Sequence, residues 1–253
     1  MLTRRLIVCL DVKDGRVVKG TRFEQLRDVG DPPAMAVQYE REGADELVFL
    51  DISATAEKRA TLLAVVRRTA EQLFVPLTVG GGIGSTNDVM LALRSGADKV
   101  SLNSAAVTSP QLLTESADRF GSQCVVASID AKRLENRWVV YTHGGSRPTE
   151  LDAVEWAAEC VRLGAGEILL TSIDRDGSRR GYDVELTRSV VRAVSVPVIA
   201  SGGAADPTSI VDAFVDGRAD AALVAGILHD QVSSIRAIKA EMARAGLPVR
   251  AAA

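Results

Sequence analysis

Histidine is nearly absent from this sequence, with only His143 and His229 in 253 residues. A multi-histidine metal centre or a Ser-His-Asp triad lacks material, so acid–base chemistry falls to carboxylates or lysine. Cysteine is equally sparse. Cys9, Cys124 and Cys160 are odd in number, far apart and without CxxC spacing, which argues against a disulfide framework or a zinc knuckle. Neither a metal ion nor a cofactor is expected. Aromatic residues make up 4% of a chain that is 47% hydrophobic, so the core must be built from Ala, Val, Leu and Ile. Long apolar runs are missing as well. The run Leu6 to Leu10 stops at Asp11, too short for a signal peptide or a membrane span, and the chain is expected to be cytoplasmic with no membrane partner. Neither charge sign dominates: 30 Lys and Arg face 33 Asp and Glu, a net charge of -3. Without a global positive field no nucleic-acid partner is expected, and an anionic ligand must be held locally.

What is present is alternation. Short β-rich runs recur at Leu6 to Leu10, Glu46 to Leu50, Leu77 to Val79, Lys99 to Leu102, Val125 to Ile129, Glu167 to Leu170, Val198 to Ala200 and Ala221 to Val224. Amphipathic stretches lie between them, among them Pro33 to Glu42, Leu62 to Gln72, Asp88 to Ser95, Leu151 to Leu163 and Val184 to Val194, and these read as helices. Eight strands alternating with helices imply parallel pairing, and their unbroken apolar character implies burial on both faces. A single (β/α)8 TIM barrel fits both the order and the length.

The second half of the chain echoes the first. Val75-Pro76 before Gly81-Gly82 matches Val196-Pro197 before Gly202-Gly203 at an offset of 121, and Gly43-Ala44 matches Gly164-Ala165 at the same offset. Gly96-Ala97-Asp98 returns as Gly217-Arg218-Ala219-Asp220 with one inserted residue, and Asp11 pairs with Asp130 at 119. One domain, residues 1–253, made of two half-barrels of about 1–120 and 121–253, is expected, each half unable to bury its sheet alone. Gly43, Gly96, Gly164 and Gly217 stand where helices should end, as C-terminal caps would.

Such barrels build their sites at the C-terminal ends of the strands. Polar and small residues occupy every one of those ends. Asp11 and Asp130 follow strands one and five and would face each other across the mouth, a pairing suited to general acid and base roles. Gly81 and Gly82 with Asn103 and Ser104 would form one phosphate cradle. Gly202 and Gly203 with Ala225 and Gly226 would form its counterpart, because glycine-rich turns let backbone N–H groups approach an anion. A ligand spanning both carries two phosphates. Bulk at Gly82 or Gly203 is expected to obstruct it. Thr171, Asp176 and Gly177 end the sixth strand as weaker candidates, since Asp174-Arg175-Asp176-Gly177 also reads as a turn. Cys9 shares the parity of Asp11 but lies deeper, without a catalytic role, and both histidines are expected in solvated loops. At the opposite strand ends Arg5, Glu46, Lys99 and Glu167 alternate in sign. They read either as an ordinary exposed rim or as a salt-bridged ring.

These residues carry a resemblance. The segments Cys9-Leu10-Asp11-Val12-Lys13-Asp14-Gly15-Arg16-Val17-Val18-Lys19-Gly20, Asp45-Glu46-Leu47-Val48-Phe49-Leu50-Asp51, Thr78-Val79-Gly80-Gly81-Gly82-Ile83 and Leu170-Thr171-Ser172-Ile173-Asp174-Arg175-Asp176-Gly177 resemble the cyclase subunit of imidazole glycerol phosphate synthase. The likeness runs over essentially the whole chain. The phosphoribosylformimino-AICAR phosphate isomerase shares the half-barrels, the paired Asp and both phosphate sites. Val18-Lys19-Gly20, Gly181-Tyr182-Asp183 after the sixth strand and the charged quartet favour the cyclase. A non-catalytic phosphate-binding barrel is a third reading, against which the paired Asp residues speak.

The resemblance implies a bisphosphate substrate, phosphoribulosylformimino-AICAR phosphate, which ammonia converts to imidazole glycerol phosphate and AICAR ribotide. It implies acid and base at Asp11 and Asp130, and Lys19 on a mobile loop over the substrate. It also implies a glutaminase subunit docked on the N-terminal barrel face, whose ammonia enters through Arg5, Glu46, Lys99 and Glu167. Ala205, where a further glycine is common, and Glu150 after Thr149 depart from the family pattern in loop detail.

Overall fold

The computed structural model describes residues 2–21, 24–52 and 56–250. Twelve strands form one sheet among them: β1 Arg5–Lys13, β2 Arg16–Thr21, β3 Glu24–Gly30, β4 Glu46–Asp51, β5 Leu77–Gly80, β6 Lys99–Leu102, β7 Val125–Leu134, β8 Arg137–Thr142, β9 Arg147–Asp152, β10 Glu167–Ser172, β11 Val198–Ser201 and β12 Ala221–Val224. Eight of these close a parallel barrel in the order β1-β4-β5-β6-β7-β10-β11-β12, with β12 returning to β1. The eight apolar runs of the sequence are these eight strands.

Their composition follows from their position. Leu6, Val8 and Leu10 on β1 turn outward into the layer beneath the helices, while Ile7 and Cys9 turn inward. The barrel interior is filled by Ile7, Cys9, Val48, Val126, Leu169, Ile199, Ala221 and Leu223. Both faces are thus apolar and alternation is lost. Each fully buried Leu, Ile or Phe contributes roughly 1.5–3 kcal/mol. The inward parity continues at both rims, to Arg5 at the floor and Asp11 at the mouth.

Helices cover the outside at Pro32–Glu42, Ala56–Ala70, Thr86–Arg94, Ala153–Arg162 and Val184–Ala193, within a few residues of the amphipathic stretches except where Ala56–Ala70 begins earlier. Side-chain caps set several starts: Asp152 accepts from the N–H of Val154, Asp183 from Leu186, and Asp206 from Ser209. Gly43, Gly96 and Gly164 end helices in the left-handed region, at φ 106°, 104° and 108°. Gly217 does not. The inserted Arg218 takes the positive φ of 60° instead, and Gly217 is small because a Cβ there would lie 2.5 Å from the carbonyl oxygen of Ala213.

The Asp that follows three of these glycines hooks a neighbouring strand. Asp45 accepts from the N–H of Leu6 at 2.8 Å, Asp98 from Leu77 at 2.8 Å and Asp220 from Val198 at 3.1 Å. At the fourth position stands Gly166, where a Cβ would lie 2.2 Å from the carbonyl oxygen of Ser122.

Four strands lie outside the barrel order and outside the sequence reading. β2 and β3 fold back antiparallel on β1, and β8 and β9 do the same on β7. Both excursions rise from strands bearing a paired Asp.

Candidate active site at the barrel mouth

Asp11 is the seventh residue of β1 and lies opposite Leu50 of β4. Asp130 is the sixth of β7 and is registered with Thr171 of β10 on one side. β1 and β7 stand four strands apart in an eight-strand ring, so the two carboxylates project from opposite walls. Burial pushes both pKa values up to about 6, and the charge of Asp176 adds to the rise. Against that rise, Cys9 Sγ donates to Asp11 Oδ1 at 3.7 Å and Asn103 Nδ2 donates to Asp130 Oδ2 at 2.8 Å. Asp176 is itself raised by burial and opposed by a hydrogen bond from the Gly177 backbone. Three carboxylates therefore share the mouth, and the exposed Asp176 adds its charge to the desolvation that favours protonation of Asp11 and Asp130. The turn reading of 174–177 also holds, because the N–H of Asp176 donates to the carbonyl of Ser172 at 2.9 Å.

A cavity of about 300 Å³ opens beside Asp11. Its lining includes Lys19, Asp176, Gly177, Gly202, Gly203, Ala225 and Gly226, so all four residues of one expected cradle and the expected lysine converge. The other set is brought together across the mouth. Gly81 and Gly82 end β5, and Asn103 and Ser104 end β6, facing β11 and β12 around the ring. Ser104 and Gly226 each open a short helix, Ser104–Thr108 and Gly226–His229, whose capping positions Asn103 and Ala225 make no side-chain cap hydrogen bond. Each leaves first-turn N–H groups to another partner. Ser104 Oγ also accepts from the N–H of His143 at 2.9 Å, tying the β8–β9 turn to this wall.

The glycines have a second task. A Cβ on Gly81 would lie 2.1 Å from the carbonyl oxygen of Asp51, and one on Gly202 would lie 2.7 Å from that of Ser172. Both pairs are related by the offset of 121. Gly203 is equally confined, its Cβ 2.4 Å from the carbonyl oxygen of Gly181. Bulk at Gly203 would therefore disturb the turn itself before it reached any ligand. Gly226 differs, since a Cβ there meets only Lys19 at 3.6 Å.

Sequence reasoning missed the surroundings of Lys19. Its Nζ donates to Asp230 and, at 3.3 Å, to the carbonyl of Gly226, while Arg27 and Arg179 also reach Asp230. His229 is not a solvated loop residue either. It sits half-buried, with Tyr39 Oη 2.7 Å from Nδ1 and the carbonyl of Cys9 3.1 Å from Nε2, and burial lowers its pKa. The carbonyl can only accept, so Nε2 carries the proton and Nδ1 accepts from the tyrosine. His143 does lie exposed in a turn. Cys9 points as expected, and burial raises its thiol well above the ordinary range.

At the floor the quartet closes into a ring. Arg5 reaches Glu46 and Glu167, each at 2.6 Å, and Lys99 reaches the same two residues at 3.0 and 2.8 Å. Both glutamates are 5% exposed, so the exposed-rim reading fails. Among the described residues, no group of three or more His, Cys, Asp and Glu could hold a metal ion, and no helix is long and apolar enough to cross a membrane.

Comparison with known proteins decides between cyclase and isomerase. The histidine biosynthesis protein family matches residues 5–234. The imidazole glycerol phosphate synthase subunit HisF of Myxococcus xanthus is 68% identical over 250 residues, 99% of this chain and 99% of the relative. The chain belongs to the HisF family, the cyclase subunit of imidazole glycerol phosphate synthase. HisF of Geobacillus thermodenitrificans is 60% identical over 252 residues, 99% of this chain and all of the relative, and that of Dehalococcoides mccartyi strain BAV1 is 57% identical over 250 residues, 99% of each. As a HisF cyclase the barrel is an enzyme of histidine biosynthesis.

Proposed function

We propose that Asp11 and Asp130 act as the proton-transferring pair on phosphoribulosylformimino-AICAR phosphate, with ammonia as the second reactant and imidazole glycerol phosphate and AICAR ribotide as products. The observation that carries this reading is the position of the two carboxylates: half-buried, on opposite walls, each with its pKa pushed up to about 6. A group titrating near the working pH can both give and take a proton. Condensation of ammonia with a carbonyl releases water, and ring closure with cleavage needs protons delivered and removed on two sides of the substrate. One carboxylate on each wall meets that need.

The two ends of the bisphosphate would lie at Gly81, Gly82, Asn103 and Ser104 on one wall and at Gly177, Gly202, Gly203, Ala225 and Gly226 on the other. Thr171, registered between Asp130 and Ser201, and Asp176 contact the body of the substrate, and Lys19 closes over it. The same reading makes residues 1–120 and 121–253 equivalent half-barrels in one domain. It is supported by the matched pairs Gly81 with Asp51 and Gly202 with Ser172.

Ammonia would come from a glutaminase subunit seated on the N-terminal face and pass the ring of Arg5, Glu46, Lys99 and Glu167. The relatives are synthase subunits, which supports an assembly, and the ring's place at the floor of the barrel supports the route. Incubating purified protein with the bisphosphate and an ammonium salt tests the chemistry. Loss of substrate absorbance with release of AICAR ribotide is expected, whereas turnover of the earlier aminoaldose isomer without ammonia would overturn it.

A further inference from the structure

Asp230 ends the short helix Gly226–His229 and gathers three cations. Lys19 of β2 and Arg179 of the loop after β10 both donate to its Oδ2, and Arg27 of β3 donates to Oδ1 at 2.6 Å. These cations come from two separate excursions of the chain, and they converge on one carboxylate. Their donors hold the Asp230 carboxyl below the usual carboxylate range, the Lys19 hydrogen bond foremost.

Asp230 is also part of the cavity wall. It lines the same space as Lys19, Arg179, Gly202, Gly203 and Gly226. An oxyanion bracketed by lysine and arginine donors is the arrangement in which proteins hold a phosphate. Asp230 is the anion that fills this role in the protein's own chain. Two anions cannot share three cations as well as one can, and a carboxylate within the cavity repels an arriving phosphate.

We propose that Asp230 is a positioning residue that stands in for a phosphate group: it keeps Lys19, Arg27 and Arg179 gathered over the β11–β12 side of the mouth until a substrate phosphate takes them from it. The proposal rests on the reading of that side as a phosphate cradle. It gives Asp230 a twofold effect, since it orders the β2–β3 excursion before substrate arrives and sets a threshold that a ligand must exceed to displace it. A dianionic phosphate exceeds that threshold, and a lone carboxylate ligand does not.

The test is ammonium-dependent turnover of the full chain with inorganic phosphate as a competitor, in the parent protein, Asp230→Asn and Asp230→Ser. Competition is expected in the parent. In both variants the phosphate inhibition constant should fall roughly five- to tenfold, the size expected for removing one like charge several ångströms away across a partly solvated site, with the substrate KM falling in parallel. Loosened packing would raise both quantities, so tighter binding separates this role from a merely structural one. The Ser variant carries the test if the Asn variant fails to fold. Unchanged or weaker phosphate inhibition in a folded variant overturns the proposal and leaves the cradle standing. Failure of phosphate to compete in the parent overturns the cradle reading, and the proposal falls with it.

Discussion

The Nδ2 of Asn103 donates to Oδ2 of Asp130 at 2.8 Å, while the amide oxygen of the same side chain is buried without a partner. The hydrogen bond fixes the carboxylate's orientation and favours its charged form, opposing a burial effect that favours the protonated one. Asp11 has a weaker counterpart in the thiol of Cys9. The two walls of the mouth thus hold carboxylates of similar acidity in unequal settings.

On the proposed reading, replacing Asp11 or Asp130 with Asn should lower kcat by about 10² to 10⁴ while leaving the substrate KM within a few-fold, because other residues would hold the phosphates. Steady-state kinetics with ammonium as the nitrogen donor measures both. Near-parental turnover in either variant would remove that residue from the proton-transferring pair.

The same substitutions should stabilise the fold. The folded pKa of about 6 stands above the ordinary value of 3.8 at each site, so the folded chain binds more protons between about pH 4 and 6. Stability falls as pH rises through that window, and the full cost of holding the charge is present above it. Allowing for partial solvation, Asn at either site should recover about 1–2 kcal/mol at pH 7.5, a rise in Tm of a few degrees. Calorimetry of parent and variant at pH 7.5 and 4.5 would show the gap closing in acid; a gap that persists there would mean another cause.

Gly226 gives a cleaner probe of the phosphate cradle than Gly203. A Cβ at Gly226 makes only ordinary contact with Lys19, so Gly226→Ala should fold with a Tm close to the parent's while intruding on the cavity. We expect the substrate KM to rise roughly three- to tenfold, with kcat less affected, in line with a small loss of binding free energy. Gly203→Ala should instead lower Tm, since its Cβ would collide with backbone. Unchanged KM in folded Gly226→Ala would assign this turn to barrel closure alone.

The floor ring makes a prediction with a stability component. Lys99→Met leaves the buried Glu46 and Glu167 with Arg5 as their remaining partner in the ring. Breaking a buried pair in this way costs about 3–5 kcal/mol, far more than an exposed rim would imply, so thermal unfolding must be measured alongside activity. In protein that remains folded at the assay temperature, glutamine-dependent synthesis with the partner present should suffer more than ammonium-dependent synthesis. Equal losses in both reactions, with normal partner binding, would leave the ring a structural floor.

The barrel was legible because strands buried on both faces read as unbroken apolar runs, and because polar or small residues mark where each leaves the core. The excursions were not, since β3, Glu24–Gly30, is largely polar in sequence. β9, Arg147–Asp152, contains Pro148 and Glu150 and has no buried residue, so it carries no apolar period. The dipeptide Asp14-Gly15, with φ of 52° and 77°, was the available hairpin signal between Lys13 and Arg16. Asp11 and Asp130 could be found from the repeat, whereas Asp230 could not. Its significance depends on Lys19 of β2, Arg27 of β3 and Arg179 of the loop after β10, all distant from it in the chain. His229 was misplaced for the same reason: its partners, Tyr39 and Cys9, lie about two hundred residues away in the chain.

β1 does not stop at the barrel rim. It runs on from Asp11 through Val12 and Lys13, which pair with Val17 and Arg16 of β2, and β2 carries Lys19. The carboxylate and the lysine are therefore mounted on one hydrogen-bonded ribbon, as Asp130 is mounted with Tyr141 on the other. On the proposed reading, a ligand held by Lys19 loads the same ribbon that carries Asp11. A change at the turn between Lys13 and Arg16 would then be felt at both the carboxylate and the lysine.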